Sequence, residues 1–158
     1  MRNTLYLILI TTLFHPSCET GDERSSPRGR TVEPTHTAVI ISEQDNEPIT
    51  EVKVALARTN DERSAGLMHV YNLPFDTGMY FIFENEAQRS FWMVNTPLSL
   101  DILFMNSAHE IVRIHTHTVP FSDRSIRSDY PAQYVLEVNA GFVDEYGIHE
   151  GMLVILKE

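Results

Sequence analysis

Two acidic residues lie inside apolar runs, where a carboxylate needs a partner or a function. Asp101 opens the run 102–105, and Glu137 lies within the run 134–138. Burying an unpaired carboxylate is costly, and desolvated carboxyl groups in clefts often act as acids or bases. The two residues are therefore candidates for hydrolase chemistry, or for the polar floor of a binding pocket. The structural alternatives are a solvated face, a buried pair with an arginine, or a carboxylate that accepts backbone donors.

A tryptophan, an asparagine and an arginine could complete such a pocket. Trp92 could form an aromatic wall with Asn95 as its hydrogen-bonding edge, although aromatic residues of this kind also pack in cores. Arg63 follows the acidic start of a predicted helix and could clamp a carboxylate or a phosphate, or form a structural ion pair. The predicted ligand-binding site comprises Arg63, Trp92, Asn95, Asp101 and Glu137.

Two histidines are a weak candidate for a metal site. His115 and His117 are two positions apart, so on a strand both imidazoles would face the same side, and metal sites on β-strands use that spacing. A third ligand is needed, and Glu137 or Asp123 could serve, but nothing in the sequence positions either one. An incidental exposed pair is favoured, and no cofactor is predicted.

The elements that must position these residues are mostly short β-strands. Strand-like segments occur at 38–41, 51–57, 79–83, 90–94, 101–105, 110–116, 134–139 and 152–156. Short strands at this spacing predict a sandwich or a barrel. We therefore expect a mainly β protein, a compact β-sandwich or barrel-like single domain with two short helices.

The two helices and one long loop interrupt the strands. The first helix begins at Thr59, which has a glutamate three residues on in a capping-box pattern, and runs to about Met68. The second spans about 142–146 and ends at Gly147. The polar segment 118–131 is long enough to be a lid or a binding loop, and ordinary surface is the equal alternative.

The N-terminus has the pattern of an export signal. Arg2 precedes the apolar run 5–14, which as a helix would span about 15 Å, roughly half of a hydrocarbon core. Cys18, the single cysteine, follows and could become a lipidated N-terminus, although His15 and Pro16 depart from the usual lipoprotein pattern. Plain secretion and no export are the alternatives. The predicted division is a signal peptide over 1–18, a flexible polar tether over 19–35 and a β-rich domain over 36–158.

The charge of the chain restricts its partners. There are 22 acidic and 12 basic residues, a net charge of −10. Nucleic-acid binders usually present a basic face, so no nucleic-acid partner is expected. An anionic leaflet would repel this chain, so membrane contact is expected only through a lipid anchor.

Five segments resemble one family in their order and spacing. They are ERSAGLM (62–68), TGMYFIF (77–83), FWMVNTPLSLDILF (91–104), YVLEVNAGF (134–142) and GIHEGMLV (147–154). These segments are similar to the prokaryotic domain-of-unknown-function family 192, and the resemblance covers about residues 50–157. It implies a compact, mainly β, sandwich-like domain that is often exported, and it implies no activity. The family commonly has lysine where this chain has Val94, so an anion-binding lysine is not implied at that position.

Three functions remain open at the level of the sequence. The first is an exported, lipid-anchored periplasmic or otherwise extracytoplasmic domain that binds a small molecule or a component of the cell envelope. The second is a hydrolase that uses Asp101 and Glu137, or a metal at His115 and His117. The third is an interaction or assembly protein of the envelope, which should expose an apolar patch.

Overall fold

A computed structural model describes residues 29–157 of the chain. Its elements, in chain order, are β1 (His36–Ile41), β2 (Pro48–Ala57), α1 (Asn60–Ala65), β3 (Thr77–Phe91), β4 (Leu100–Met105), β5 (Ile111–His115), β6 (Ile126–Asn139), α2 (Phe142–Tyr146) and β7 (Leu153–Lys157). The predicted mainly β single domain with two short helices is confirmed.

The seven strands form one curled sheet in the order β5-β4-β6-β3-β2-β1-β7. All neighbours are antiparallel except β2 and β3, which are parallel and are joined through α1. A parallel pair needs such a crossover connection. The curl brings the two ends of the sheet together, because Glu110 bridges Leu153 and the Ile111 N–H donates to the Met152 carbonyl at 2.8 Å. The sheet is therefore a half-barrel with apolar side chains on both faces.

Each face of the sheet carries its own core. The inner face packs Tyr80, Leu103, Leu136 and Val138 against α2 and the strands at the far end of the sheet. The outer face carries a second set of buried residues, covered by α1 and the loops that follow α1 and β3. They are Ala57, Leu67, Val70, Leu73, Met79, Phe81, Met93, Leu100, Ile102, Phe104, Ala132 and Val135.

Two long strands replace shorter predicted elements. The segment expected at 79–83 and the first two residues of the one expected at 90–94 belong to one strand, β3, whose pairing with β6 shifts register between Ile82 and Ala87. Residues 92–94 lie beyond the end of β3, so the predicted second strand is wrong there. Residues 126–131, expected to lie in a long loop, form the first part of β6. Bulges of this kind bend a strand without ending it, so polar residues in the middle of β3 and β6 do not interrupt the sheet.

The two helices begin as their sequences predict. In α1 the Thr59 hydroxyl accepts from the Glu62 N–H, and the Glu62 carboxylate accepts from the Thr59 N–H, so the capping box is complete. The helix ends at Ala65, three residues earlier than predicted, because Gly66 takes φ +41° and ψ −132°. The second helix ends at Gly147, in the left-handed conformation at φ +61°.

The last residues of the predicted tether pack against the domain. The Arg30 N–H donates to the His69 carbonyl at 2.8 Å, and the Thr35 N–H donates to the Val54 carbonyl at 3.0 Å. Val32 contacts the outer core. The predicted signal peptide, Cys18 and residues 19–28 lie outside the described residues.

Candidate functional site

A cavity of about 350 Å³ opens on the outer face of the sheet. Its floor comes from β3 and β6, its roof from α1 and the turn after it, and its rim from the end of β3. The lining residues are Asn60, Arg63, Ser64, Ala65, Gly66, Leu67, Met68, Phe81, Phe83, Ser90, Phe91, Trp92, Thr96 and Glu137. This volume is in the usual range for a small-molecule site.

Glu137 lies on the cavity floor because of the sheet register. It pairs with Met79 of β3 and Ile102 of β4, and directly paired residues in a sheet point to the same face. Its neighbours on that face are therefore apolar, and the residue is only 5% exposed. Burial raises the pKa of the Glu137 carboxyl to about 8. None of the described residues pairs with or donates a hydrogen bond to this carboxyl.

A glycine allows the strands to meet closely beside Glu137. Gly78 of β3 pairs with Val138, and a Cβ atom at Gly78 would lie 2.4 Å from the Glu137 carbonyl oxygen. Real Cβ atoms do not approach so closely, so any larger residue would displace the backbone that carries Glu137. The position of the carboxyl therefore depends on this glycine.

Four aromatic rings line the cavity. Phe81 and Phe91 meet edge to face with centroids 5.1 Å apart, and Phe83 and Phe91 meet edge to face at 6.4 Å. Trp92 follows β3 at the rim and is 58% exposed, so its ring is not part of the core. Trp92 lines the cavity, as do three phenylalanines that were not among the predicted site residues.

Arg63 reaches the cavity from α1, but its guanidinium is already engaged. It donates to the carbonyl oxygens of Arg58 and Ile82, the latter at 2.9 Å, and to the Asn60 side chain. It also lies over the Phe83 ring, 4.9 Å from the centroid. No ion pair joins Arg63 to Glu137 within residues 29–157.

Arg30 stabilises the roof of the cavity through hydrogen bonds. Its guanidinium lies within 3.2 Å of the carbonyl oxygens of Ala65, the last residue of α1, and of Gly66 and Met68 in the turn after it. A cation is favourable there because these carbonyls have no partner within the helix. Residues before β1 thus help to hold the turn that covers Glu137.

Asp101 does not share a site with Glu137. It pairs with Val138, so it points to the inner face, opposite to Glu137, and it is fully buried. One carboxylate oxygen accepts from the His117 N–H at 2.9 Å. The other accepts from the N–H groups of Gly141 and Val143, both at 3.0 Å. Asp101 is therefore a carboxylate that accepts backbone donors, one of the structural alternatives that the sequence left open. Because Asp101 and Glu137 face opposite sides of the sheet, they do not form the carboxylate pair that a hydrolase of this type needs.

Asn95 lies beyond the cavity wall in a turn. It is exposed, with φ +57°, a left-handed conformation that asparagine tolerates. Its carbonyl accepts from the His69 N–H at 2.8 Å, which ties the loop after β3 to the loop after α1. The structure therefore brings Arg63, Trp92 and Glu137 together around the cavity and leaves Asp101 and Asn95 outside it.

His115 and His117 do not lie side by side on one strand. β5 ends at His115, whose Nε2 lies 2.7 Å from the Arg127 carbonyl oxygen. His117 follows at φ +51°, so the two do not continue one strand face. In the part of the chain that the structure describes, no three side chains of His, Cys, Asp and Glu come close enough to hold a metal ion.

Comparison with known proteins assigns the fold to a family without a known activity. Residues 40–156 match the model of the DUF192 family, which is described as uncharacterised. This chain belongs to the DUF192 family. No curated protein shows significant similarity to it.

Two crystal structures of similar proteins share the fold. One, from Sinorhizobium meliloti 1021, is described as a candidate transcription regulator; it is 34% identical with a TM-score of 0.73, over 80% of this chain and 97% of that one. The other, from Novosphingobium aromaticivorans DSM 12444, has unknown function; it is 28% identical with a TM-score of 0.71, over 78% of this chain and 86% of that one. These comparisons establish the DUF192 fold. They give no activity, so any function has to be inferred from the residues of the cavity.

Within residues 29–157, no helix has both the length and the apolar character that crossing a bilayer requires.

Proposed function

We propose that this DUF192 domain binds a small molecule in the cavity above Glu137. The observation that carries the proposal is a buried carboxyl that faces the cavity and has no partner among the described residues. Because Glu137 lines the cavity, a ligand there can supply the hydrogen bond that none of the described residues provides. The aromatic side chains beside it would contact an apolar part of the same ligand.

Retention of a ligand by the purified protein tests this proposal. Native mass spectrometry of the full chain should show excess mass that disappears on denaturation. Glu137→Gln should reduce that excess while the fold persists, because glutamine keeps the size of the side chain. Glu145→Gln, on the exposed surface of α2, is the matched control and should retain it. If Glu137→Gln retains the same ligand in the same amount, Glu137 is not part of the site.

We also propose that the domain acts outside the cytoplasm, anchored through Cys18. The support is the sequence of the first residues, a basic start followed by an apolar run and a lone cysteine. Metabolic labelling with an alkyne fatty acid, followed by mass spectrometry of the N-terminal peptide, should place acyl chains on the cysteine. Cys18→Ser should abolish the label and release the protein from the membrane fraction. An unprocessed N-terminus in the soluble fraction would contradict this part of the proposal.

A second candidate function is protein interaction at the mouth of the cavity. Hydrogen bonds from Met93 to Ser122 and from Phe121 to Thr96 join the two loops there. Trp92 and Phe121 on these loops are 58% and 61% exposed. Loss of a co-purifying envelope protein in a Trp92→Ala, Phe121→Ala double variant, but not in Glu137→Gln, would favour interaction over small-molecule binding. The net charge of −10 gives no support to a nucleic-acid target.

A further inference from the structure

The ionised form of Glu137 needs a partner that donates a hydrogen bond. An ionised carboxylate accepts hydrogen bonds and donates none, and charged donors form the shorter and stronger bonds to it. Met79, Ile102 and Val135 surround Glu137 on its face of the sheet and offer no donor. In such apolar surroundings the attraction between opposite charges is weakly screened, which strengthens the pairing and offsets the cost of desolvating the cation.

The cavity walls also suit a positive charge. The faces of aromatic rings carry negative potential and attract cations. Phe81, Phe91 and Trp92 line the space next to Glu137 and are not occupied by any cation of the described residues. Phe83 differs, because the guanidinium groups of Arg63 and Arg89 lie 4.9 and 3.9 Å from its centroid.

No charged group of the described domain takes the place of that cation. Arg63 is the only basic residue of the lining, and its guanidinium is engaged with backbone carbonyls, Asn60 and Phe83. Arg89 donates to the Ala132 carbonyl at 3.0 Å and to Asn85. From α1, Glu62 is used in the capping box and Asp61 is exposed. Glu137 is thus the one acidic group of the lining, and it is available.

We propose that the ligand of this cavity is a small amine, whose protonated nitrogen pairs with the Glu137 carboxylate and whose apolar body lies against Phe81, Phe91 and Trp92. This inference rests on the proposed function, since it names the chemical class that the same cavity accepts. The net charge of −10 also attracts cationic ligands to the molecule.

A matched series of probes tests the charge of the ligand. The probes are 2-phenylethylamine, 2-phenylethanol and phenylacetate, which share a ring and differ in the charge of the end group. Binding to the full chain is measured by ligand-observed NMR at pH 8. We expect the amine to bind at least tenfold more tightly than the alcohol and the acid. Glu137→Gln should remove that preference, and Glu145→Gln should keep it.

The pH dependence gives an independent readout. An amine needs the ionised form of Glu137, so its affinity should rise more than tenfold between pH 6 and pH 8, because burial raises the pKa of this carboxyl to about 8. A ligand that accepts a hydrogen bond from the protonated form would show the opposite trend and lose affinity above pH 8.

Each outcome separates the inference from the proposed function. If the alcohol or the acid binds through Glu137 and the amine does not, the cavity is a binding site and the assignment to amines is overturned. If the amine binds equally to the wild type and to Glu137→Gln, the pairing is overturned. If no probe binds and no retained ligand is found, both the inference and the proposed function fail.

Discussion

Asp101 and Glu137 lie on neighbouring strands and in similar apolar runs, yet their surroundings are opposite. Asp101 faces the inner core and accepts three backbone N–H groups from two different segments. Glu137 faces the outer cavity and receives no hydrogen bond from the described residues. One step in register separates the two environments, because successive residues in a strand point to opposite faces.

The difference shows that a buried carboxylate can either stabilise the fold or remain available to bind a ligand. Asp101 joins the start of α2 to the segment after β5, so its charge stabilises a junction between elements. Glu137 joins nothing within the described domain, and its ionised form is disfavoured until a donor arrives. Satisfied buried charges hold folds together, whereas an unsatisfied one is a candidate site.

Replacement of Asp101 should have the largest effect on stability. Asp101→Ala leaves the N–H groups of His117, Gly141 and Val143 without their acceptor, and we expect a loss on the order of 3–5 kcal/mol in the free energy of unfolding. Urea denaturation followed by circular dichroism measures it. Asp101→Asn keeps one acceptor oxygen and should lose less. A loss below about 1 kcal/mol in the alanine variant would show that water replaces the carboxylate.

Gly78→Ala should have the next largest effect on stability, and it should also weaken ligand binding. The new methyl group would meet the Glu137 carbonyl oxygen, so the β3–β6 pairing must shift at a cost of roughly 1–3 kcal/mol. Gly147→Ala is the control, because that position has open space and only a left-handed φ, worth about 1 kcal/mol. We expect Gly78→Ala alone to weaken ligand binding as well. If both variants lose the same stability and bind ligand equally well, the close packing at Gly78 does not position Glu137 for binding.

Glu137→Gln should change the pH dependence of stability more than the stability itself. The pKa of Glu137 is raised from 4.5 to about 8 in the folded state. The contribution of the protonated Glu137 carboxyl to the free energy of unfolding is therefore fully present below its pKa in the unfolded chain. That contribution is lost as pH rises to about 8, the pKa in the folded state. Between pH 5 and pH 8 the wild type should lose up to ~1.4 kcal/mol per pH unit relative to the variant. Melting temperatures of both proteins across that range test this, and parallel curves would contradict a desolvated carboxyl.

Trp92→Ala should have the smallest effect on stability. The side chain is 58% exposed, so we expect a loss of less than about 1 kcal/mol. Affinity for an aromatic amine should fall about two- to tenfold, the range of a single aromatic contact. Phe121→Ala, which is 61% exposed and outside the cavity lining, is the comparison. If both variants bind alike, Trp92 does not contact the ligand.

The local elements of this fold could be predicted because their signals are contained in a few adjacent residues. The capping box at Thr59 and the glycine that ends α2 need no information from elsewhere. The apolar flanks of Glu137 likewise identified it as unusual. Each of these predictions rests on the chemistry of one short segment.

The composition of the cavity could not be predicted, because it depends on register and on what covers each face. Alternation separates the faces within one strand, but it does not say that Glu137 pairs with Ile102 and Asp101 with Val138. Nor does it say that α1 covers Phe81 and Phe83. The aromatic run 80–83 carried a signal for the wall, and it could equally belong to a core.

The contact between the two ends of the sheet has a consequence for how the protein behaves at high concentration. An open sheet presents rows of unpaired N–H and C=O groups that another chain can extend into an aggregate. Here the Val154 N–H donates to the His109 carbonyl at 3.0 Å and the Gly151 N–H donates to the Ile111 carbonyl at 2.9 Å, so the terminal strands shield each other where they meet. The half-barrel thus protects itself against edge-to-edge polymerisation while its outer face stays open to a ligand.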